Sequence, residues 1–235
     1  MKTKDRWDLA QHYEKNWWIS KASELDLEFY ERFANDMLAI LQPYLKIESD
    51  THILEIGSGA AGIITYLKSS YRFAIDPLEN IYSSIEKFTQ IRDKQVKYFN
   101  IKAEEITFEN NFFDLIIMDN VLDHCEDPEK VFTQIQRVTK PGGIIYFRQN
   151  TYHAWGKFIR SVIELLKIDK GHPFSFSKSE LKKSFSYHRL SVLYYKESGY
   201  LKTWLKEIKS KRFYDKIKAV LFATRDKTTF VLRKD

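Results

Sequence analysis

The order of apolar segments in this sequence predicts an α/β fold, a parallel sheet with helices on both faces. Three observations carry that expectation. Short apolar runs at 53–56, 72–75, 96–101, 114–118 and 144–147 alternate with stretches of helical periodicity. Three of the eight glycines, Gly57, Gly59 and Gly62, cluster directly after the first run, where a strand must turn tightly. With 43% apolar residues in a chain of 235, there is enough core material for one elaborated domain.

Residues 5–45 read as helical, because Leu25, Phe29, Phe33, Met37, Leu38 and Leu41 recur at three- and four-residue spacing and Pro43 ends the run. The aromatic stretch before them, residues 7–18, is suited to fold over a neighbour. After the first strand and its glycine turn, a helix is expected over about 60–68. The second strand stops at Asp76-Pro77, ahead of a helix running to about Phe88. The third strand alternates over 96–101, and the fourth, 114–118, is almost wholly apolar. Asp127-Pro128 opens a helix to about Thr139, proline suiting the first helical position. Lys140-Pro141-Gly142-Gly143 then turns the chain into the fifth strand. Beyond residue 150 the alternation loosens. Residues 154–168 are amphipathic, and Ser177-Lys178-Ser179-Glu180 is a capping box. Residues 191–195 and 228–232 read as strands, with a lysine-rich helix over 201–223 between them.

Composition narrows the function classes. A single cysteine, Cys125, excludes a disulfide framework and a cysteine-based zinc cluster, and suits a reducing cytoplasm. Residues 1–8 lack the apolar stretch of a signal peptide, and no apolar run reaches transmembrane length, so a soluble cytoplasmic protein is expected. The net charge of +6 hides a split: residues 1–150 hold 18 Lys+Arg against 24 Asp+Glu, and residues 151–235 hold 20 against 8. The basic third suggests an anionic partner: nucleic acid, lipid headgroup or phosphorylated substrate.

Gly57-Ser58-Gly59-Ala60-Ala61-Gly62 fits G-x-G-x-x-G, a turn that lets the backbone approach a nucleotide-like ligand. Asp76 lies 19 residues past Gly57, at the end of the second strand, where a carboxylate can accept both hydroxyls of a ribose. This pattern alone serves NAD dehydrogenases equally well. Glu55, two residues before Gly57, points instead to a ligand without a pyrophosphate and with a positively charged amino acid end. The fourth strand delivers Asp119-Asn120 to the carboxyl edge of the sheet.

These residues carry a resemblance. Ile53-Leu54-Glu55-Ile56-Gly57-Ser58-Gly59 resembles motif I of class I S-adenosylmethionine-dependent methyltransferases, and Asp76 matches their acidic ribose-binding residue. Lys102-Ala103-Glu104-Glu105-Ile106 resembles the adenine-holding segment. Residues 113–124 are similar to the motif after Phe-Asp, and Lys140-Pro141-Gly142-Gly143 to the turn before strand five. The likeness is to the small-molecule enzymes of ubiquinone and menaquinone biosynthesis. It implies a Rossmann-like seven-stranded sheet, mostly parallel with an antiparallel last strand. It implies S-adenosyl-L-methionine as cofactor, held by Glu55, Gly57, Ser58, Gly59, Gly62, Asp76, Pro77, Ala103, Glu104, Glu105, Asp119 and Asn120, with Tyr13 from an N-terminal cap. One domain is expected: a helical cap over 1–47, a cofactor core over 48–150, an acceptor cover over 151–190, and C-terminal strands with a basic helical insertion over 191–235.

Methyl transfer to a hydroxyl requires removal of its proton, and His124, with Asp123 beside it at the cofactor edge, is the first candidate base. Alternatively, His124 caps a helix and supports the loop. Asn120 stands where the ubiquinone-type metal motif has a carboxylate, so no metal is assigned. His153 and His172 lie in the expected acceptor cover as further candidates or as packing residues, and His12 in the cap. The leading expectation is O-methylation of a metabolite or a surface-glycan sugar, the acceptor phosphorylated or lipid-linked. The alternatives are an RNA methyltransferase and a non-catalytic cofactor-binding protein; nucleic acid is ranked below the small molecule. The helix at 201–223 reads either as a membrane-contacting face or as an ordinary docked helix.

Overall fold

The computed structural model describes residues 3–21, 27–165, 174–211 and 213–235. Seven strands, β1 (His52–Ile56), β2 (Tyr71–Ile75), β3 (Lys97–Phe99), β4 (Phe113–Asp119), β5 (Thr139–Thr151), β6 (Leu190–Ser198) and β7 (Asp226–Lys234), join in one sheet ordered β3-β2-β1-β4-β5-β7-β6. The pairs from β3 to β5 are parallel, and β7 runs antiparallel to both β5 and β6. This is the Rossmann-like sheet expected, with its last strand inserted in reverse.

The central strands are apolar without interruption because both faces of the sheet are covered. Side chains alternate across it. Leu54, Ile116, Ile145 and Phe147 pack under α5 (Pro128–Val138) and α7 (Lys178–Tyr187), while Ile53, Leu115, Ile117 and Tyr146 pack under α2 (Leu27–Leu41). Asp127 caps α5 by accepting from Glu129 N and Lys130 N, and α7 carries the full capping box of Ser177 and Glu180. Around the carboxyl edge stand α1 (Thr3–Lys21), α3 (Glu79–Ser83), α4 (Glu86–Ile91), α6 (Ala154–Leu165), α8 (Tyr200–Ile208) and α9 (Phe213–Val220). No described helix is long and apolar enough to cross a membrane.

Four local expectations are corrected. The helix over 60–68 shrinks to a 3-10 turn, Ile63–Tyr66. Gly62 sits at φ +73°, outside helical space, and the β-branched Ile63, Ile64 and Thr65 propagate a helix poorly. The helix after Pro77 is two pieces, because Ile85 is extended between α3 and α4. The basic segment 201–223 likewise divides into α8 and α9. Finally, Lys140-Pro141-Gly142-Gly143 lies inside β5 as an irregularity: Phe113 pairs with Thr139, but Leu115 with Ile144. Lys140 is held there by Asp114, with Nζ–Oδ distances of 2.7 and 2.8 Å.

Candidate active site

A cavity of about 340 Å³ opens at the carboxyl ends of β1, β2 and β4, within the usual range for small-molecule sites (about 300–1,000 Å³). Its floor is the glycine loop, and several contacts hold that loop rigid. Gly57 N donates to Ile75 O at 2.8 Å, Gly59 N to Asp76 Oδ2 at 3.0 Å, and Arg92 Nε to Ala60 O at 2.7 Å. Arg92 is itself fixed by a buried ion pair with Glu79 at 2.8 Å. Gly59 has no room for a side chain: a Cβ would meet Trp18 Cζ2 at 2.5 Å, at a φ of +57°.

Asp76 forms one wall. Its other oxygen accepts from Leu78 N at 2.9 Å, and burial raises its carboxyl to about 6. Asp119 and Asn120 form the opposite wall at the end of β4. Arg148 grips Asp119 bidentately at 2.5 and 2.7 Å. Asn120 holds φ +55°, uncommon outside glycine, because its N–H donates to Arg148 O at 2.7 Å and its Oδ1 accepts from Asn150 N at 3.1 Å. Ala103 and Glu104 line the far end, where Glu104 Oε1 accepts from Glu126 N and Asp127 N at 2.6 and 3.1 Å. The roof is α1, with Trp7, Gln11, Glu14 and Trp18 on its inner face. Lys102 lies 3.8 Å above the Trp7 ring centre, and Trp18 Nε1 donates to Glu14 at 2.9 Å. Glu14, Asp76, Glu104 and Asp119 thus face the cavity against one lysine, Lys102, an acidic lining suited to a cationic ligand.

Of the residues expected from the sequence, Gly57, Gly59, Asp76, Pro77, Ala103, Glu104, Asp119, Asn120 and His124 meet at this cavity. Others take different places. Glu55 lies beneath the loop, where its two oxygens accept from Ile63 N and Ile64 N at 3.0 and 2.9 Å. It positions the loop instead of lining the cavity, and burial raises its carboxyl to about 7. Ser58 and Gly62 are behind it in the same turn, and Glu105 is exposed. Tyr13 is 54% exposed on the outer side of α1. The helical period explains this, since residues 7, 11, 14 and 18 share a face that residue 13 cannot join. That spacing was a signal available in the sequence. Lys102, Tyr30 and Tyr82 also line the cavity, brought there by packing alone.

His124 and Asp123 sit in a 3-10 turn, Leu122–His124, that divides this cavity from a second one of about 810 Å³. His124 lines the first, Asp123 the second. The imidazole lies between Glu14 Oε2 (4.0 Å from Nδ1) and Asp123 Oδ1 (3.9 Å from Nε2), and Gln149 Nε2 donates to Asp123 at 2.8 Å. His153 is removed from both cavities. Its Nδ1 accepts from Gly156 N at 3.2 Å and its Nε2 lies 2.8 Å from Phe222 O, so it ties α6 to the end of α9. His172 lies outside the described residues. Cys125 borders the first cavity, where burial pushes its thiol well above the usual range. Among the described residues no three His, Cys, Asp or Glu side chains converge as a metal site.

A family model described as a methyltransferase domain matches residues 54–147, the segment that builds this cavity floor. Over that segment the chain is similar to methyltransferase domains. Phosphoethanolamine N-methyltransferase 3 of Arabidopsis thaliana is 33% identical over 143 residues, 58% of this chain and 27% of that protein. Sarcosine/dimethylglycine N-methyltransferase of Aphanothece halophytica is 28% identical over 102 residues, 41% of this chain and 37% of that one. The chain therefore spans between 20% and 40% of the length of the curated relatives it matches. Among solved structures, geranyl diphosphate C-methyltransferase from Streptomyces coelicolor A3(2) superposes with a TM-score of 0.65 at 12% identity, covering 87% of this chain and 80% of that one. At that identity the match shows the fold. The matched segment contains the loop 57–62, Asp76 and the end of β4.

Proposed function

We propose that this protein transfers a methyl group from S-adenosylmethionine to a small-molecule acceptor. One observation supports the reading above the others: an acidic, nucleotide-sized cavity, roofed by aromatic residues, lies over a rigid glycine loop at the carboxyl edge of β1, β2 and β4. The residues fit the cofactor. Asp76 has lone pairs beyond its two backbone bonds for the ribose hydroxyls. The loop backbone and Asp119-Asn120 receive the amino acid end, Ala103 and Glu104 the adenine.

When bound, S-adenosylmethionine supplies an electrophilic methyl on a sulfonium. The chain contributes alignment and exclusion of water, the larger part of catalysis in an in-line displacement. Trp18 and Trp17 close the roof, Arg148 holds the Asp119 wall and Arg92 the floor. His124, flanked by Glu14 and Asp123, takes the proton from the acceptor atom. The acceptor atom is an oxygen, as in the metabolite or glycan hydroxyls expected from the sequence, or a nitrogen, as the names of the relatives indicate for those proteins. Calorimetry tests the core of the reading. S-adenosylhomocysteine is expected to bind and NAD not to; the reverse result would remove the methyltransferase assignment.

A further inference from the structure

Building on that reading, we propose that the second cavity is the acceptor site and that it selects an acceptor bearing a phosphate or comparable oxyanion. Its position comes first. Asp123 and Asn150 place it over the carboxyl ends of β4 and β5, and Ala223 and Arg225 at the start of β7, the same sheet edge as the cofactor cavity. The two cavities share the Leu122–His124 turn, with His124 lining the first and Asp123 the second. A molecule in the second cavity would therefore reach the cofactor past the candidate base.

The lining supplies the chemistry. Arg160 from α6, Lys206 from α8, Lys209 just after it, Lys218 from α9 and Arg225 from the next loop converge from separate segments. Among the described residues three carboxylates share the cavity, and each is engaged: Lys218 binds Glu207 and Asp215 at 3.1 and 2.9 Å, and Asp123 accepts from Gln149. Among the described residues five cations stand against three carboxylates, a positive lining opposite in sign to that of the cofactor cavity next door. Arg160 is only 3% exposed. It donates to Ser175 Oγ at 3.3 Å, with its guanidinium 5.4 Å from the Tyr152 ring centre. A guanidinium on such a wall is the planar fork that recognises oxyanions.

Two neighbouring groups register the same field. Burial raises the Tyr152 phenol, while Arg160, Arg225 and Lys218 oppose the rise and Asp123 adds to it, so these charges converge on one hydroxyl. Burial holds the Lys227 amine below its usual value, and Arg148, Arg225 and Lys202 push it further down against Asp119. The positive corner is thus already crowded, and an anion entering it relieves repulsion. A small acceptor is favoured over a polyanion, because the cations line a cavity of about 810 Å³.

The test titrates inorganic phosphate into the full chain saturated with S-adenosylhomocysteine. Binding is expected. Lys206→Glu combined with Lys209→Glu and Arg225→Glu, all at exposed positions, should weaken it by roughly tenfold or more while S-adenosylhomocysteine affinity stays unchanged. Arg160→Gln should act in the same direction; because Arg160 is buried, the surface triple variant keeps the test valid if that protein does not fold. Sedimentation with phosphatidic acid vesicles separates the sources of the anion: co-sedimentation lost in the triple variant identifies a lipid headgroup, and no co-sedimentation with phosphate binding intact identifies a free phosphate ester. Phosphate binding that is absent, or indifferent to these variants, in a protein that binds S-adenosylhomocysteine overturns the anion site alone. Failure to bind S-adenosylhomocysteine overturns the methyltransferase reading and the acceptor assignment with it.

Discussion

Asp76 accepts from Gly59 N and Leu78 N while still facing the cavity, whereas Glu55 spends both oxygens beneath the loop on Ile63 and Ile64. The two carboxylates should therefore fail differently. Asp76→Ala is expected to weaken S-adenosylhomocysteine binding by roughly tenfold or more, the worth of a charge-assisted hydrogen bond, with the fold retained; calorimetry showing unchanged affinity would remove the ribose assignment. Glu55→Gln should lower stability by about 1–3 kcal/mol, because glutamine leaves one of the two buried N–H groups without an acceptor. Both carboxyls also give the ligand-free protein a pH signature. Burial raises Glu55 from 4.5 to about 7 and Asp76 from 3.8 to about 6, so the folded state holds protons that the unfolded state has lost. The stability this confers is fully present below about pH 4 and is lost as pH rises through 6 to 7. Melting temperature should fall across that window, less steeply in Glu55→Gln; an identical slope in that variant would contradict the burial effect. His124→Ala should lower turnover by roughly 10²–10⁴ with cofactor affinity nearly constant, and full activity would exclude it as the base.

At the scale of elements, α1 is the cover and the glycine loop the floor, and they meet where Trp18 lies against Gly59. The main clusters on the two faces of the sheet contain no residue of α1. Removal of residues 1–21 should therefore leave the sheet folded by circular dichroism while S-adenosylhomocysteine dissociates faster; dissociation at the original rate would show that α1 is not a cover. The strands were legible in the sequence, all seven, because each is a short apolar run with turn residues at its ends. The helices were legible only in part. Ile85 breaks one, and a non-helical stretch after Lys209 breaks another, at positions where periodicity continues but backbone conformation does not. The helix expected at 60–68 shortened to one 3-10 turn because Gly62 leaves helical space and the β-branched residues after it propagate a helix poorly. The inward face of α1 could have been read from the spacing of Trp7, Gln11, Glu14 and Trp18, but which face turns inward is decided by what lies beneath it.

Across the whole molecule, the split of charge along the chain becomes two adjoining cavities of opposite sign. One sheet runs from the N-terminal core through β7 and β6, so the described fold is expected to melt in a single transition despite that split. Saturation with S-adenosylhomocysteine at 100 times its Kd should stabilise the protein by about 2.7 kcal/mol. In a chain of this size that raises the melting temperature by roughly 5–11 °C, and a scan without this shift would argue against ligand binding to the folded state.

By itself, the sequence determined the strands, the glycine turn after β1, the acidic residue ending β2 and the resemblance these motifs carry. These depend on interactions within a few residues, which periodicity and turn chemistry report directly. Only the tertiary structure decided which of the predicted carboxylates face the cavity, which side of α1 closes over it, and that His124 lines one cavity and Asp123 the other. Those outcomes depend on burial and charge between segments as far apart in the chain as Glu14 and His124, or Asp123 and Arg225, and such pairings exist only once the sheet has brought its carboxyl edge together.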